Sequence, residues 1–303
     1  MLKQASGPAN LVFIPSSTVL YRGEQRYAFG VYTRSARDQV TDAQVALYVA
    51  KAPPPGRLPQ PKANGATARP ARGPVSGLSA SLVNPARGPF PARIESLQTL
   101  PAFRSASTSD DPDAGKAVYV TRIDFPGNGD WRIGALVKDG NKLTASVLPG
   151  LTVGKFHDIP RVGQRPPDIH TPTRSSVGGD LRKLTTRVPP ERMNGTDFHD
   201  VLGKKPIVLL FATPKFCQSR VCSPVVDEAA QVQREIGDKV EFIHMEIYND
   251  NQPAKGVRPQ VRAFHLPSEP WLFVIDRSGV IRTVIEGAFD VRELSDAVRA
   301  VAR

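Results

Sequence analysis

The spacing of apolar residues along this chain changes its period once, and the change limits the fold to an all-β part followed by a mixed α/β part. Runs at 11–14, 26–32, 44–49, 117–120, 131–137 and 143–148 are short, rich in β-branched and aromatic residues and bounded by turn residues such as Lys138-Asp139-Gly140-Asn141. No helical period lies between them, so they read as antiparallel strands. From residue 198 the pattern alternates. A short helix over 198–202 precedes the strand 207–212, which is apolar on both faces as a central strand must be. A helix over 223–236 follows, with Val225, Ala229, Val232 and Ile236 on one face. Strand 240–248, helix 257–264, strand 271–275, the turn Asp276-Arg277-Ser278-Gly279, strand 280–285 and helix 291–301 complete the order β-α-β-α-β-β-α.

A chain of 303 residues accommodates two ordinary domains. The strand pattern predicts an immunoglobulin-like β-sandwich over residues 8–154, without the disulfide of antibody domains because the stretch has no cysteine. A Pro/Arg/Gly-rich insertion covers about 52–91. Residues 155–195 mix Pro, Arg, Gly and Thr, show neither period, and read as a linker or irregular lead-in to an α/β domain over 196–303.

The net charge of +11 is unevenly placed: between Lys51 and Arg104, eight basic side chains face the single acid Glu95. That composition cannot bury enough apolar surface to offset ordering entropy, so it reads as a solvated segment, and no nucleic-acid module accompanies it. No run of eighteen apolar residues occurs, and the first residues lack the charged, apolar and small-residue succession of a leader.

The only cysteines are Cys217 and Cys222, too close together to hold a fold, so the pair is local chemistry. Both fall at the junction of the first α/β strand with its helix. Five helical steps of about 100° would set the side chains about 140° apart, so a bond between them requires Cys217 to precede the regular helix. Arg220 is a further candidate for lowering a thiol pKa.

The element order, the cysteine pair at that junction and the proline directly before the third strand resemble the thioredoxin fold. Three stretches resemble its TlpA-like and peroxiredoxin-like branches: Val162-Gly163-Gln164-Arg165-Pro166-Pro167-Asp168, the run from Gly203 to Phe211, and the block from Ser268 to Gly279. The resemblance covers residues 160–303. It implies a thiol:disulfide oxidoreductase in which Cys217, at a helix N-terminus, attacks as thiolate and Cys222 resolves the mixed disulfide. It implies a cis bond at Glu269-Pro270 that places a backbone edge for a substrate strand, and it sets His244 where thioredoxins carry a buried lysine, a candidate proton acceptor for Cys222. The buried acid that thioredoxins place before the active site is missing, Leu210 or Phe211 standing there. Protein thiols and disulfides are the implied substrates, with a separate thiol reductase or oxidase for recycling. No cofactor or nucleic acid is called for.

Other readings compete. Cys-x4-Cys also resembles one type of peroxiredoxin, but the threonine that type needs three places before its first cysteine is Pro214 here, and its arginine is replaced by Glu269-Pro270. A copper-binding assembly chaperone of this fold would pair the soft thiolates with His244 or His265. A binding or scaffold protein would rest on the β domain alone. The domain pairing implies an extracytoplasmic workplace, with a tether through a leader not present in this sequence; the cytoplasm is the alternative.

Overall fold

The computed structural model describes residues 10–34, 38–53, 85–106, 114–216 and 221–303, without the side chains of Asp139, Cys222 and Ser223. Most of the Pro/Arg/Gly-rich insertion, Cys217 and Arg220 lie outside the described residues. The chain divides into two compact units, one of residues 1–15, 19–94 and 119–155, the other of residues 16–18, 95–118 and 156–303.

The first unit is built on two four-stranded sheets. One has the order β1 (Leu11–Pro15), β2 (Gly23–Thr33), β6 (Ala117–Phe125), β5 (Arg93–Ser96); the other runs β4 (Arg87–Pro91), β3 (Gln44–Lys51), β7 (Gly129–Asp139), β8 (Lys142–Val153). Alternation decides which side chains enter the core. In β3, Val45, Leu47 and Val49 are buried, and they share one apolar cluster with Phe29 and Val31 of β2 and Ile133, Ala135 and Val137 of β7. Tyr119 stacks on Phe29 with ring centres 5.6 Å apart, and Phe125 meets Trp131 edge-on at 5.4 Å. Such pairs add about 0.5–1.5 kcal/mol beyond their buried area. Strand β4 lies within the segment read above as low complexity. It is mostly exposed and carries Pro89 and Pro91, which an edge position tolerates, so no alternation marked it.

The second unit holds the sheet β10 (Glu241–Met245), β9 (Ile207–Phe211), β11 (Trp271–Ile275), β12 (Ile281–Glu286). β9 and β10 are parallel, β11 is antiparallel to β9, and β12 is antiparallel to β11. Every residue of β9 and β11 is buried, as central strands covered on both faces require. The helices are α1 (Phe198–Val201), α2 (Cys222–Ile236), α3 (Pro259–Ala263) and α4 (Val291–Val301). Asp290 caps α4 by accepting the Glu293 N–H at 2.6 Å, and Leu294, Val298 and Val301 form its buried stripe. With α2 after β9, α3 between β10 and β11, and α4 last, this is the thioredoxin-like topology.

Residues 156–195 belong to this unit rather than forming a separate connection. Gly163 and Gln164 exchange backbone hydrogen bonds with Ile281, and the Met193 carbonyl accepts the His244 N–H at 2.8 Å, so the segment covers both edge strands. Residues 16–18 also join it. Ser17 donates to the Glu286 carbonyl, Thr18 donates through N and Oγ1 to the Glu286 carboxylate, and Gly287 has no Cβ because one would lie 2.0 Å from the Ser16 carbonyl oxygen.

Candidate functional site

Three chain segments reach the same end of the α/β sheet. β9 ends at Phe211, opposite Met245 of β10 and Trp271 of β11, so Ala212, Glu246 and Pro270 emerge side by side. From there the chain runs through Thr213, Pro214, Lys215 and Phe216 toward the cysteines. Helix α2 begins at Cys222, with no side-chain cap on its first turn. The positive end of this helix therefore lies at Cys222.

The loop is held from below. The Ala212 carbonyl lies 3.0 Å from His244 Nε2, the Ala212 N–H donates to Met245, and the Lys215 N–H donates to Thr186 Oγ1 at 3.1 Å. Thr186 passes the tie on, donating through N and Oγ1, each at 2.6 Å, to Glu246 Oε1. Phe216 meets Tyr248 edge-on.

His244 is fully buried, and both ring nitrogens are occupied. A carbonyl can only accept, so Nε2 carries a proton; Nδ1 is 2.7 Å from Glu191 Oε1, which also accepts from Asn194 while Oε2 accepts from Thr185. Burial works against the imidazolium, but the charge and hydrogen bond of Glu191 outweigh it and hold the His244 pKa above its ordinary value. Burial likewise opposes the Glu191 anion, and His244 outweighs it, holding that carboxyl low. Both ring nitrogens of His244 are engaged, one by Glu191 and one by the Ala212 carbonyl, so neither is free to take up a proton in this geometry. The same engagement occupies both nitrogens of His244 against a metal, and His265 is exposed at a φ of 55°.

The peptide bond Glu269-Pro270 is cis. Trp271 begins β11 beside Phe211, so this turn borders the departing loop. Among the described residues the backbone N–H and C=O of Glu269 have no partner, whereas the Pro270 carbonyl accepts the Gly287 N–H.

Glu246, which sequence reading missed, meets Glu269 of the turn already named for the substrate. Among the described residues, buried Glu246 has no partner for Oε2, and Glu269 also has an unpartnered buried Oε2. Burial, then the negative charge of Glu246, push the Glu269 carboxyl up to about 8. Tyr248 is raised by burial and by Glu269. An acid at the end of an apolar strand was the available signal. Among the described residues no group of three or more His, Cys, Asp or Glu is placed to hold a metal.

No protein-family model and no curated protein matches the chain. Among solved structures it is similar to a putative thiol:disulfide interchange protein DsbE from Chlorobium tepidum, with 16% identity and a TM-score of 0.34 over 48% of this chain and 99% of that one. It is also similar to a thiol:disulfide interchange protein of the thioredoxin family from Chlorobium tepidum TLS, with 19% identity and a TM-score of 0.32 over 47% of this chain and 98% of that one.

Proposed function

We propose that the chain is a thiol:disulfide oxidoreductase whose Cys217 and Cys222 alternate between dithiol and disulfide. The observation that carries this reading is the meeting, at one end of a thioredoxin-like sheet, of the segment leading to both cysteines, a helix that starts at Cys222, and a cis Glu269-Pro270 turn. A thiolate of the pair attacks one sulfur of a client disulfide, breaking the S–S bond and releasing the other sulfur as a thiolate that takes a proton from solvent. The second cysteine attacks the mixed disulfide, the client leaves with both thiols reduced, and the enzyme retains the new S–S bond. Two electrons have passed to the client. A separate dithiol reductant restores the pair. The backbone of Glu269, without a partner among the described residues, supplies one N–H and one C=O to which an extended client segment can hydrogen bond.

The finer assignments rest on narrower grounds. The blocks at 162–168, 203–211 and 268–279 favour the TlpA-like branch, and with it an extracytoplasmic workplace. For the β unit, strand orders β1-β2-β6-β5 and β4-β3-β7-β8 correspond to the A-B-E-D and C′-C-F-G sheets of an immunoglobulin-like sandwich.

The test is a redox titration of the full chain in dithiothreitol or glutathione buffers, reading the pair by alkylation and mass shift. A reversible two-electron transition that disappears in Cys217→Ser is expected. Thiols that never pair, or pair irreversibly, would overturn the assignment.

A further inference from the structure

Two of the chain's five histidines stand in ring contact. His170 lies in the aperiodic segment and His199 in α1, and their rings are 4.5 Å apart between centres with a tilt of 37°. Each ring is oriented by its own carboxylate. His170 Nδ1 is 2.8 Å from Asp197 Oδ2, and His199 Nδ1 is 2.9 Å from Asp168 Oδ1.

The backbones beneath are fixed as well. Asp197 Oδ1 accepts from the N–H groups of Thr171 and His199, Thr171 Oγ1 accepts the Phe198 N–H, and the His170 carbonyl accepts from Gln260. Among the described residues neither Nε2 has a hydrogen-bond partner, and both rings are solvent-accessible.

A carboxylate accepts, so in the neutral ring the proton sits on Nδ1 and the lone pair on Nε2. An imidazole whose second nitrogen is held by a carboxylate is the arrangement in which histidines ligate metals, the outer carboxylate fixing the tautomer and raising ligand basicity. Here it occurs twice within one ring contact. Imidazole nitrogens suit nickel and copper, which stand at the top of the divalent first-row affinity series.

We propose that His170 and His199 form an open two-imidazole site for a divalent transition cation of the nickel or copper class, with Asp197 and Asp168 orienting the rings and water completing the coordination. This site is independent of the thiol chemistry.

The test uses the untagged full chain with Cys217→Ser and Cys222→Ser, which removes the thiols as ligands and makes the result independent of the redox reading. Calorimetric titration with Ni²⁺ alone should show one saturable site per chain. His170→Ala or His199→Ala should weaken it at least about tenfold, and Asp168→Asn by about 10–100-fold. Thermal melts matching the parent would establish that the variants fold, and His157→Ala with His265→Ala should leave binding intact. With Cu²⁺, electron paramagnetic resonance should show coupling to two imidazole nitrogens, falling to one in His170→Ala. Absence of saturable Ni²⁺ uptake, uptake unchanged by both single alanine substitutions, or loss of uptake in the His157/His265 variant would overturn the proposal.

Discussion

His244 Nδ1 lies 2.7 Å from Glu191 Oε1 with both side chains wholly inside the protein, and the contact fixes the protonation of each. Removing one member of such a pair leaves the other buried without its counter-charge, which costs about 3–5 kcal/mol. Glu191→Ala should lose stability on that scale in urea unfolding at pH 6.

The pH dependence has a definite sign. The carboxyl is held below its ordinary value, so its contribution is present above about 4.5 and is lost as pH falls through the folded value. The imidazole is held above its ordinary value, so its contribution is complete below about 6.5 and is lost as pH rises through the folded value. The pair therefore contributes most between those limits. A wild-type minus Glu191→Ala stability difference that is flat from pH 4 to 9 would sink the ion-pair assignment.

Glu269 offers a test closer to the chemistry. Its carboxyl titrates at about 8, so it is neutral at pH 7 and becomes an anion above 8, at the turn beside the loop that leads to the cysteines. A new negative charge there disfavours thiolate and raises a thiol pKa by on the order of one unit, about tenfold in thiolate fraction below that pKa. Glu269→Gln should match wild type in alkylation rate below pH 7 and exceed it above pH 8. Because the folded value is raised, this group also withdraws stability as pH climbs from 4.5 to 8, and the glutamine variant should lose that slope. Superimposable rate profiles across the range would remove Glu269 from the site.

How much of this was legible in the sequence depended on what holds each part. Helix α4 was readable residue for residue, because Asp290 caps it and Leu294, Val298 and Val301 mark its buried stripe. β9 and β11 were equally plain, being apolar on both faces. Residues 156–195 were not, because hydrogen bonds to the sheet edges rather than an apolar period fix them. Glu246 was hidden for a related reason. Its partner Thr186 lies in that aperiodic segment, and a single acid closing a strand reads as solvent-facing until the covering chain is known. His170 and His199 carried no local pattern at all, since the rings meet through Asp168 and Asp197. The cis Glu269-Pro270 turn came from resemblance, not from composition.

Glu228, in the second turn of α2, is fully buried, and neither carboxylate oxygen has a partner among the described residues. Burial first, then the neighbouring acids Asp290, Asp227, Glu95 and Glu293, push its pKa well above the ordinary value, so the folded protein holds it neutral. The unfolded chain ionises above 4.5 and gains from doing so, which means stability falls as pH rises beyond that point. Glu228→Met, similar in volume and without polar atoms to satisfy, should stabilise the protein by about 1–3 kcal/mol at pH 7. The gain should shrink toward pH 4. A variant destabilised at both pH values would mean that the carboxyl has a function in the folded state.

The neighbouring acid of the same helix is fully hydrogen bonded. Asp227 Oδ1 accepts Arg187 Nε at 2.8 Å, and Oδ2 accepts the Ser105 N–H at 2.9 Å, with both charged side chains buried. Arg187 donates onward to the carbonyls of Pro189 and Phe103 at 2.6 Å, so one guanidinium ties residues 103–105 and 187–189 to α2, five residues from Cys222. The Leu100 N–H adds a further bond to Gln231 Oε1. Every donor that Arg187 uses is matched by a fixed acceptor, and lysine cannot reproduce the fork. Arg187→Lys should therefore destabilise almost as much as Arg187→Ala, which should cost about 3–5 kcal/mol. Because residues 95–106 are tethered through this centre, limited proteolysis should cut both variants in that stretch under conditions where wild type stays intact. A lysine variant with wild-type stability and protection would show that charge alone, without the directed hydrogen bonds, holds the segment on the helix.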